Sequence, residues 1–408
     1  MIGVIADDLS GAAEIGAVGL RHGLRCEILS NPGKAELMEW LPGRKARRGG
    51  TAAELICIDT DSRSCAPAEA ARRAGVAAQA LRQAGARWIY KKVDSVLRGR
   101  IVPEIEGIMA ELGLNRALLV AANPGRRRVI RNGRYYVGGK LISRTEFARD
   151  PEYPRASPLV VELLGRSAAS ALTVCRVGDR LPSSGVIVGE ASRPSDLGRW
   201  TACRRSRLLL AGAAEFFAAL LAATGHRTAD NAGVEALETS GCELFVCGTT
   251  SRASRDFVKA SHSARVPVIS LPSELAWGAE FSAVAMKAVA RRAVSMLRNR
   301  QRVILNVGLP RVRGTIVRTL TLHLVEVAAQ VLAEAPAGRV YAEGGATAAA
   351  LVRRMGWRRM RVLREVAPGV ATLGVECNRS ILLTIKPGSY VWPDEIREAP
   401  ASGERAAA

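Results

Sequence analysis

Ile2-Gly3-Val4-Ile5-Ala6-Asp7-Asp8-Leu9-Ser10-Gly11 opens the chain, and its first half decides the fold class. An unbroken apolar run of this length reads as a strand buried on both faces, the habit of parallel sheets covered by helices. Asp7, Asp8 and Ser10 then offer N-cap chemistry for a helix predicted over residues 11–22. Gly23 suits the C′ position after that helix, and residues 25–29 read as the next strand. The unit repeats outward. Residues 55–59 are strand-like, Pro67 stands where an Ala-rich helix to about residue 83 begins, and Gly85 closes it. Residues 87–91 and 116–121 are further strands. Strands alternating with helical segments predict an α/β fold with a parallel sheet and crossover helices.

The alternation is interrupted at 123–158, a stretch rich in Gly, Arg, Tyr and Pro with weak periodicity. Such a stretch in an enzyme reads as a binding loop or an insertion. Strands follow at 186–188 and 207–211, then a helix to about 223. Residues 224–241 carry few large apolar side chains, so the boundary between two domains is expected there. Beyond it, strands are predicted at 244–247, 266–270, 303–307, 340–342 and 381–385. Helices are predicted over 254–263, 279–298, 321–333 and 347–355. The expected organisation is a first domain over 1–228, a second over 240–398 and a frayed tail over 399–408. Each domain is a mainly parallel sheet flanked by helices, and 408 residues are ample for two cores.

The formal charge of +21 would draw polyanions or small anionic substrates. It equally fits arginines scattered over solvated faces. Basic runs near residues 44–48, 125–128 and 353–361 lack interleaved aromatics and match no nucleic-acid reader, so no specific nucleic-acid partner is expected. Cys26, Cys57, Cys65, Cys175, Cys203, Cys242, Cys247 and Cys377 contain no CxxC pair, which argues against a disulfide framework or zinc ribbon. Cys57 and Cys247 sit in apolar runs and read as core residues. His22, His226, His262 and His323 show no ligand spacing. Neither a cleavable leader nor an apolar stretch of membrane-spanning length is read, so a cytoplasmic protein with no membrane partner is expected.

In a parallel sheet, ligands gather beyond the carboxyl ends of the strands. Three polar clusters fall there: residues 6–11, Asp59-Thr60-Asp61-Ser62-Arg63, and Lys91-Lys92-Val93-Asp94-Ser95-Val96-Leu97-Arg98-Gly99. Each alone has a bland reading as a cap or a solvated strand end. Together they hold the parts of a hydroxy-acid pocket. Arg63 and Arg98 can grip a carboxylate, Lys91 or Lys92 can neutralise developing charge, and Asp94 or Asp8 can take a hydroxyl proton. The second half has no Walker A, GxGxxG, HExxH or GxSxG sequence. It has glycine-bearing turns at strand ends, 248–251, 343–347 and 386–389, where backbone N–H groups can meet phosphates.

In order and spacing, IADDLSG (5–11), DTDSR (59–63) and YKKVDSVLRG (90–99) resemble the four-carbon acid sugar kinase family of threonate, erythronate and 3-oxo-tetronate kinases. Residues 123–139 and 150–154, and then GTTS (248–251), GGAT (344–347) and KPGS (386–389), extend the resemblance over about residues 2–396. The resemblance implies an N-terminal domain for the acid and a C-terminal domain for ATP, with the active site in the cleft between them. It implies that Asp7, Asp8, Arg63, Lys91, Lys92, Asp94 and Arg98 line the acceptor site. Asp94 is the first choice of general base and Asp8 the second. Ser251, Gly344, Gly345, Ala346, Thr347 and Gly388 would meet the nucleotide, and Mg²⁺ would bridge its phosphates. A homodimer is compatible with this reading. The chain departs from the family at Ala346, where an acid is usual, at Ser389-Tyr390 and at Asn123-Pro124. These departures leave an alternative reading: a catalytically degenerate sugar-acid binder that acts as a sensor or partner protein.

Overall fold

The apolar opening run is strand β1 (Ile2–Ala6), every residue of it buried. Asp8 caps the helix that follows, its Oδ1 accepting from the Gly11 N–H at 2.7 Å. The computed structural model describes residues 1–41, 52–150, 152–165, 169–228, 241–272, 283–308, 315–335 and 337–398. After β1 come α1 (Leu9–Arg21), β2 (Cys26–Ser30), α2 (Lys34–Trp40), β3 (Leu55–Asp59), α3 (Pro67–Gln83), β4 (Trp88–Lys92), α4 (Ile101–Leu112) and β5 (Arg116–Val120). Next are β6 (Arg128–Arg131), β7 (Arg134–Val137), β8 (Lys140–Leu141), α5 (Val160–Leu164), β9 (Leu172–Cys175), β10 (Gly185–Gly189), α6 (Pro194–Trp200), β11 (Leu209–Gly212) and α7 (Ala214–Ala223). The second half contains β12 (Glu243–Cys247), α8 (Arg252–Ser263), β13 (Val268–Ser270), α9 (Ala283–Arg300), β14 (Arg302–Asn306), α10 (Thr315–Glu334), β15 (Arg339–Glu343) and α11 (Gly345–Arg354). It closes with β16 (Arg359–Ala367), β17 (Val370–Val375), β18 (Asn378–Lys386) and α12 (Asp394–Arg397).

The chain divides into two compact units: Met1–Val234 with Arg358–Glu365, and Glu235–Trp357 with Val366–Ala408. In the first unit the strand order is β16-β2-β3-β1-β4-β11-β5-β10-β9. All its pairings are parallel except β16 on β2. The register sets Ala6 beside Asp59 on one flank and beside Lys92 on the other. The chain builds β2 and β3 to one side of β1 and then crosses to place β4 on the other. That reversal opens a crevice outside the carboxyl end of β1, and the three polar clusters meet there. The core beneath is Val4, Ile5, Ile15, Ile28, Ile56 and Leu118, none more than 1% exposed. Full burial of each such side chain is worth about 1.5–3 kcal/mol. Helices α3 and α4 cross closely because Gly107 lies under Ala71, whose carbonyl oxygen would stand 2.2 Å from a Cβ at that position.

The second unit runs β13-β14-β12-β15-β18-β17, parallel except for β17 on β18. Its first four strands, β12 to β15, repeat the arrangement of β1 to β4. Here too the chain crosses to the other flank of its first strand, and Cys247, Glu343 and Lys386 end adjacent strands in register. Phe245 stacks on Tyr341 at 4.3 Å, with Trp392 edge-on to both.

The α/β reading with parallel sheets therefore holds for both units. The structure adds elements to it. Residues 123–158 contain a small antiparallel sheet, β6-β7-β8, rather than an irregular loop alone. Helix α4 carries Pro103 in its first turn, where the missing N–H costs nothing, and its Pro hides the helical period. Helix α10 begins at Thr315, earlier than residue 321. The expected frayed tail at 399–408 and most of the expected boundary at 224–241 lie outside the described residues. Among the described residues no helix is long and apolar enough to cross a membrane.

Candidate functional site

At the crevice of the first unit, Arg63 gathers two carboxylates. Its Nε and Nη2 donate to Asp7 at 2.7 and 3.2 Å, and its Nη1 lies 2.8 Å from Asp8 Oδ2. Asp7 is buried. Burial works against its charge, but Arg63 and Lys91 hold its carboxyl below the ordinary range. Asp8 Oδ2 also accepts from Ser10 Oγ at 2.5 Å. The same aspartate therefore caps α1 and faces Arg63. Asp61 takes a positive φ of 46°, and this turn brings Ser62 and Arg63 back toward Asp7, whose carbonyl oxygen accepts both their N–H groups.

Asp94 anchors a second turn. Its Oδ2 accepts the Val96 and Arg98 N–H groups at 3.1 and 3.2 Å and Arg98 Nε at 3.0 Å, while Oδ1 meets Arg98 Nη2 at 2.8 Å. Burial opposes its charge, yet Arg98, Arg63 and Lys92 hold the carboxyl well below the usual range. Arg98 also reaches Asp150 at 3.5 Å, and Tyr153 Oη donates to the Arg63 carbonyl. Asp150 and Tyr153 thereby contact the two turns, one each. Ser95 is held by the Arg128 guanidinium and by Tyr135 Oη, which donates to its carbonyl.

Lys91 and Lys92 are adjacent on β4 and so point to opposite faces of the sheet. Lys92 Nζ lies 3.0 Å from Glu14 Oε2 on α1. Burial works against its ammonium, but Glu14, Asp8 and Asp7 raise its affinity for the proton. Lys91 is sealed on the other face, 3.0 Å from Glu104 Oε2 on α4. The predicted residues Asp7, Asp8, Arg63, Lys92, Asp94 and Arg98 thus share one edge, while the Lys91 ammonium lies beneath it. In this structure the forks of Arg63 and Arg98 are engaged by Asp7 and Asp94.

Asp59 was not among the predicted site residues, although it stands in the DTDSR stretch. It is fully buried at the end of β3, accepting from Ser30 Oγ and the Asp61 N–H, both at 2.9 Å. Burial, with the charges of Asp61 and Asp8, pushes its carboxyl up to about 7. The folded chain therefore holds this proton more tightly than the unfolded chain does. The stability it contributes is complete below about pH 4 and is lost as pH rises through about 7, on the order of 4 kcal/mol in all. Melting the protein from pH 5 to 8 should show a falling transition temperature, and Asp59→Asn should flatten that slope. An unchanged slope in the variant would remove Asp59 as its cause.

In the second unit three turns converge. Ser251 caps α8, accepting the Ser254 N–H at 3.1 Å, and its Oγ donates to the Gly388 carbonyl at 2.6 Å. The Gly344 N–H donates to the Lys386 carbonyl at 2.9 Å. Gly344 takes φ 97°, a conformation that favours glycine, and it opens α11. A Cβ on Gly248 would stand 2.0 Å from Thr347 Oγ1, so a side chain here would have to displace the buried Thr347. The N-termini of α8 and α11, with Ala346 exposed in the first turn of α11, form one edge suited to phosphates. Glu343 lies three residues before Ala346. It is fully buried, held by Lys386 and by Ser254 Oγ at 2.9 Å.

Residues 2–220 match the model of a sugar-binding N-terminal domain, and residues 244–390 match that of a nucleotide-binding C-terminal domain. The chain belongs to the four-carbon acid sugar kinase family. Among this kinase family's members, a 3-oxo-tetronate kinase of Methylobacterium radiotolerans is 28% identical over 430 residues, covering 96% of this chain and 97% of that protein. A D-threonate kinase of Bordetella bronchiseptica is 32% identical over 203 residues, 48% of each chain. A solved structure from Salmonella typhimurium covers 97% of this chain and 98% of its own with a TM-score of 0.73 at 18% identity, which shows that the two share a fold. The sequence gives few signals for the supporting residues Glu14, Glu104, Tyr153 and Glu343. Their partners lie on other elements.

Proposed function

We propose that this protein transfers the γ-phosphoryl group of ATP to a hydroxyl of a four-carbon sugar acid of the threonate, erythronate or 3-oxo-tetronate type. The observation that carries this reading is the convergence of Asp7, Asp8, Arg63, Asp94 and Arg98 at the β1 crevice. It occurs in a chain whose relatives, matched almost end to end, are kinases of such acids. Phosphoryl transfer asks for positioning and charge neutralisation more than for covalent chemistry. The guanidinium charges of Arg63 and Arg98, with Lys92, supply the positive field for the substrate carboxylate. Asp94, ionised at any working pH, offers its less occupied Oδ1 to the attacking hydroxyl, orients it and takes its proton late in the transfer. Asp8 is the second candidate for that task.

The nucleotide's phosphates fit the N–H groups at the starts of α8 and α11, beside Ser251, Gly344, Gly345, Ala346, Thr347 and Gly388. ATP and Mg²⁺ are used together in this reading. The donors offered by the three turns are hydroxyls and backbone amides, and their one buried carboxylate, Glu343, is taken by Lys386. They do not form a protein cage for Mg²⁺, a cation that readily keeps water and phosphate oxygens as ligands. The compartment that supplies ATP and a free sugar acid to such an enzyme is the cytoplasm.

A panel of threonates, erythronates and 3-oxo-tetronates, assayed for acid-dependent ADP release with Mg²⁺, tests the proposal. Turnover with at least one of these acids is expected. Acid binding with no ADP release across the panel would favour the degenerate sugar-acid binder instead.

A further inference from the structure

Beneath each ligand-facing edge lies a sealed Lys–Glu–Ser triad. In the first unit, Lys91 Nζ and Glu104 Oε2 are 3.0 Å apart with side chains 0% and 1% exposed, and Ser62 Oγ donates to Glu104 Oε1. Ser62 Oγ is also 2.6 Å from Thr60 Oγ1, whose hydroxyl bonds the Ala6 carbonyl at 2.8 Å. One carboxylate on α4 thus joins the ends of β1, β3 and β4, next to Arg63 and Lys92. In the second unit, Lys386 Nζ donates to Glu343 Oε1, both side chains fully buried. Ser254 Oγ meets Glu343 Oε2 at 2.9 Å. Glu343 and Lys386 end β15 and β18, and Ser254 belongs to the first turn of α8, so this carboxylate joins all three glycine turns. Lys386 also lies 5.0 Å from the Trp392 ring centroid.

We propose that the two triads are positioning devices, Lys91–Glu104–Ser62 for the sugar acid and Lys386–Glu343–Ser254 for the ATP phosphates. None of these six heads is placed to touch a ligand, and stability alone does not call for them. Well-packed apolar residues in place of a buried ion pair are often neutral or stabilising. What an apolar pair cannot do is fix three separate chain segments to one carboxylate. A displacement of about 1 Å at a ligand-facing group can cost about a hundredfold in rate. Each triad therefore governs its own substrate. This inference rests on the kinase reading for the identity of the two ligands.

The experiment is calorimetric binding of D-threonate, and of the panel acid that binds best, and separately of a non-hydrolysable ATP analogue, to the full-length protein. The variants are Lys91→Met/Glu104→Leu and Lys386→Met/Glu343→Leu. The first should weaken acid binding about tenfold or more and leave the ATP analogue within about threefold; the second should do the reverse. If a double variant fails to fold by its melt, Ser62→Ala and Ser254→Ala should show the same crossed pattern at about threefold to tenfold. Variants that weaken both ligands alike, or neither, would overturn the positioning role while leaving the kinase reading intact. A wild-type protein that binds neither ligand would overturn the kinase reading and this inference with it.

Discussion

Asp94→Asn is expected to lower kcat by between about a hundredfold and ten-thousandfold, the usual cost of losing a positioned acid–base group, with the KM for the acid changed by no more than about threefold. The substitution is nearly isosteric. The asparagine carbonyl can still accept the Val96 and Arg98 N–H bonds that shape the 94–98 turn, so the pocket should survive. The negative charge and the free lone pair on Oδ1 are lost, and the amide cannot take a proton from the attacking hydroxyl. Because Arg98, Arg63 and Lys92 keep Asp94 ionised, its titration should not limit the rate anywhere near neutral pH. Steady-state kinetics on the acid that supports turnover, for wild type and variant, decide the matter. Full activity in Asp94→Asn would pass the role to Asp8.

Arg63→Ala should both abolish detectable acid binding and lower the stability of the first unit by about 3–5 kcal/mol, the cost of stranding a buried charge. Asp7 is 2% exposed and loses both of its Arg63 hydrogen bonds, while Asp8 loses its 2.8 Å ion pair. For a unit of this size the loss corresponds to a fall of about 10 °C in melting temperature. Asp7→Asn in the Arg63→Ala background should recover part of it, since the stranded charge is then removed. Differential scanning calorimetry of the single and double variants checks this. A melting temperature within a degree or two of wild type for Arg63→Ala would contradict the assigned burial of the Asp7–Arg63 pair.

Much of this arrangement is legible in the sequence where it depends on local chemistry. The apolar runs at 2–6, 55–59 and 244–247 read as buried strands, and their polar followers then fall at carboxyl ends. Asp8 shows the limit of that reading. Capping and site chemistry looked like competing explanations for it, and the structure gives it both, one through each carboxylate oxygen. The Lys91-Lys92 pair shows another limit. Strand alternation requires opposite faces, but nothing local says that Glu14 waits on one and Glu104 on the other. Long-range pairings were likewise hidden. Strand β16 lies on β2 across more than 300 residues of chain, with Arg359 opposite Leu29, a contact to which no periodicity points. Asp59 reads as an ordinary member of an acidic turn until its burial is seen, and burial is the largest cause of its behaviour, with the charges of Asp61 and Asp8 adding to it. The small sheet at 128–141 escaped because its strands are only 2–4 residues long and dense in arginine.

Phosphorus-31 NMR of the protein mixed with ATP, Mg²⁺ and the panel acids tests the central claim most directly. A new phosphomonoester resonance, growing as the ATP γ signal declines and appearing only with acid present, is the predicted result. Decline of the γ signal into inorganic phosphate alone, or no change with any acid, would contradict an acid sugar kinase.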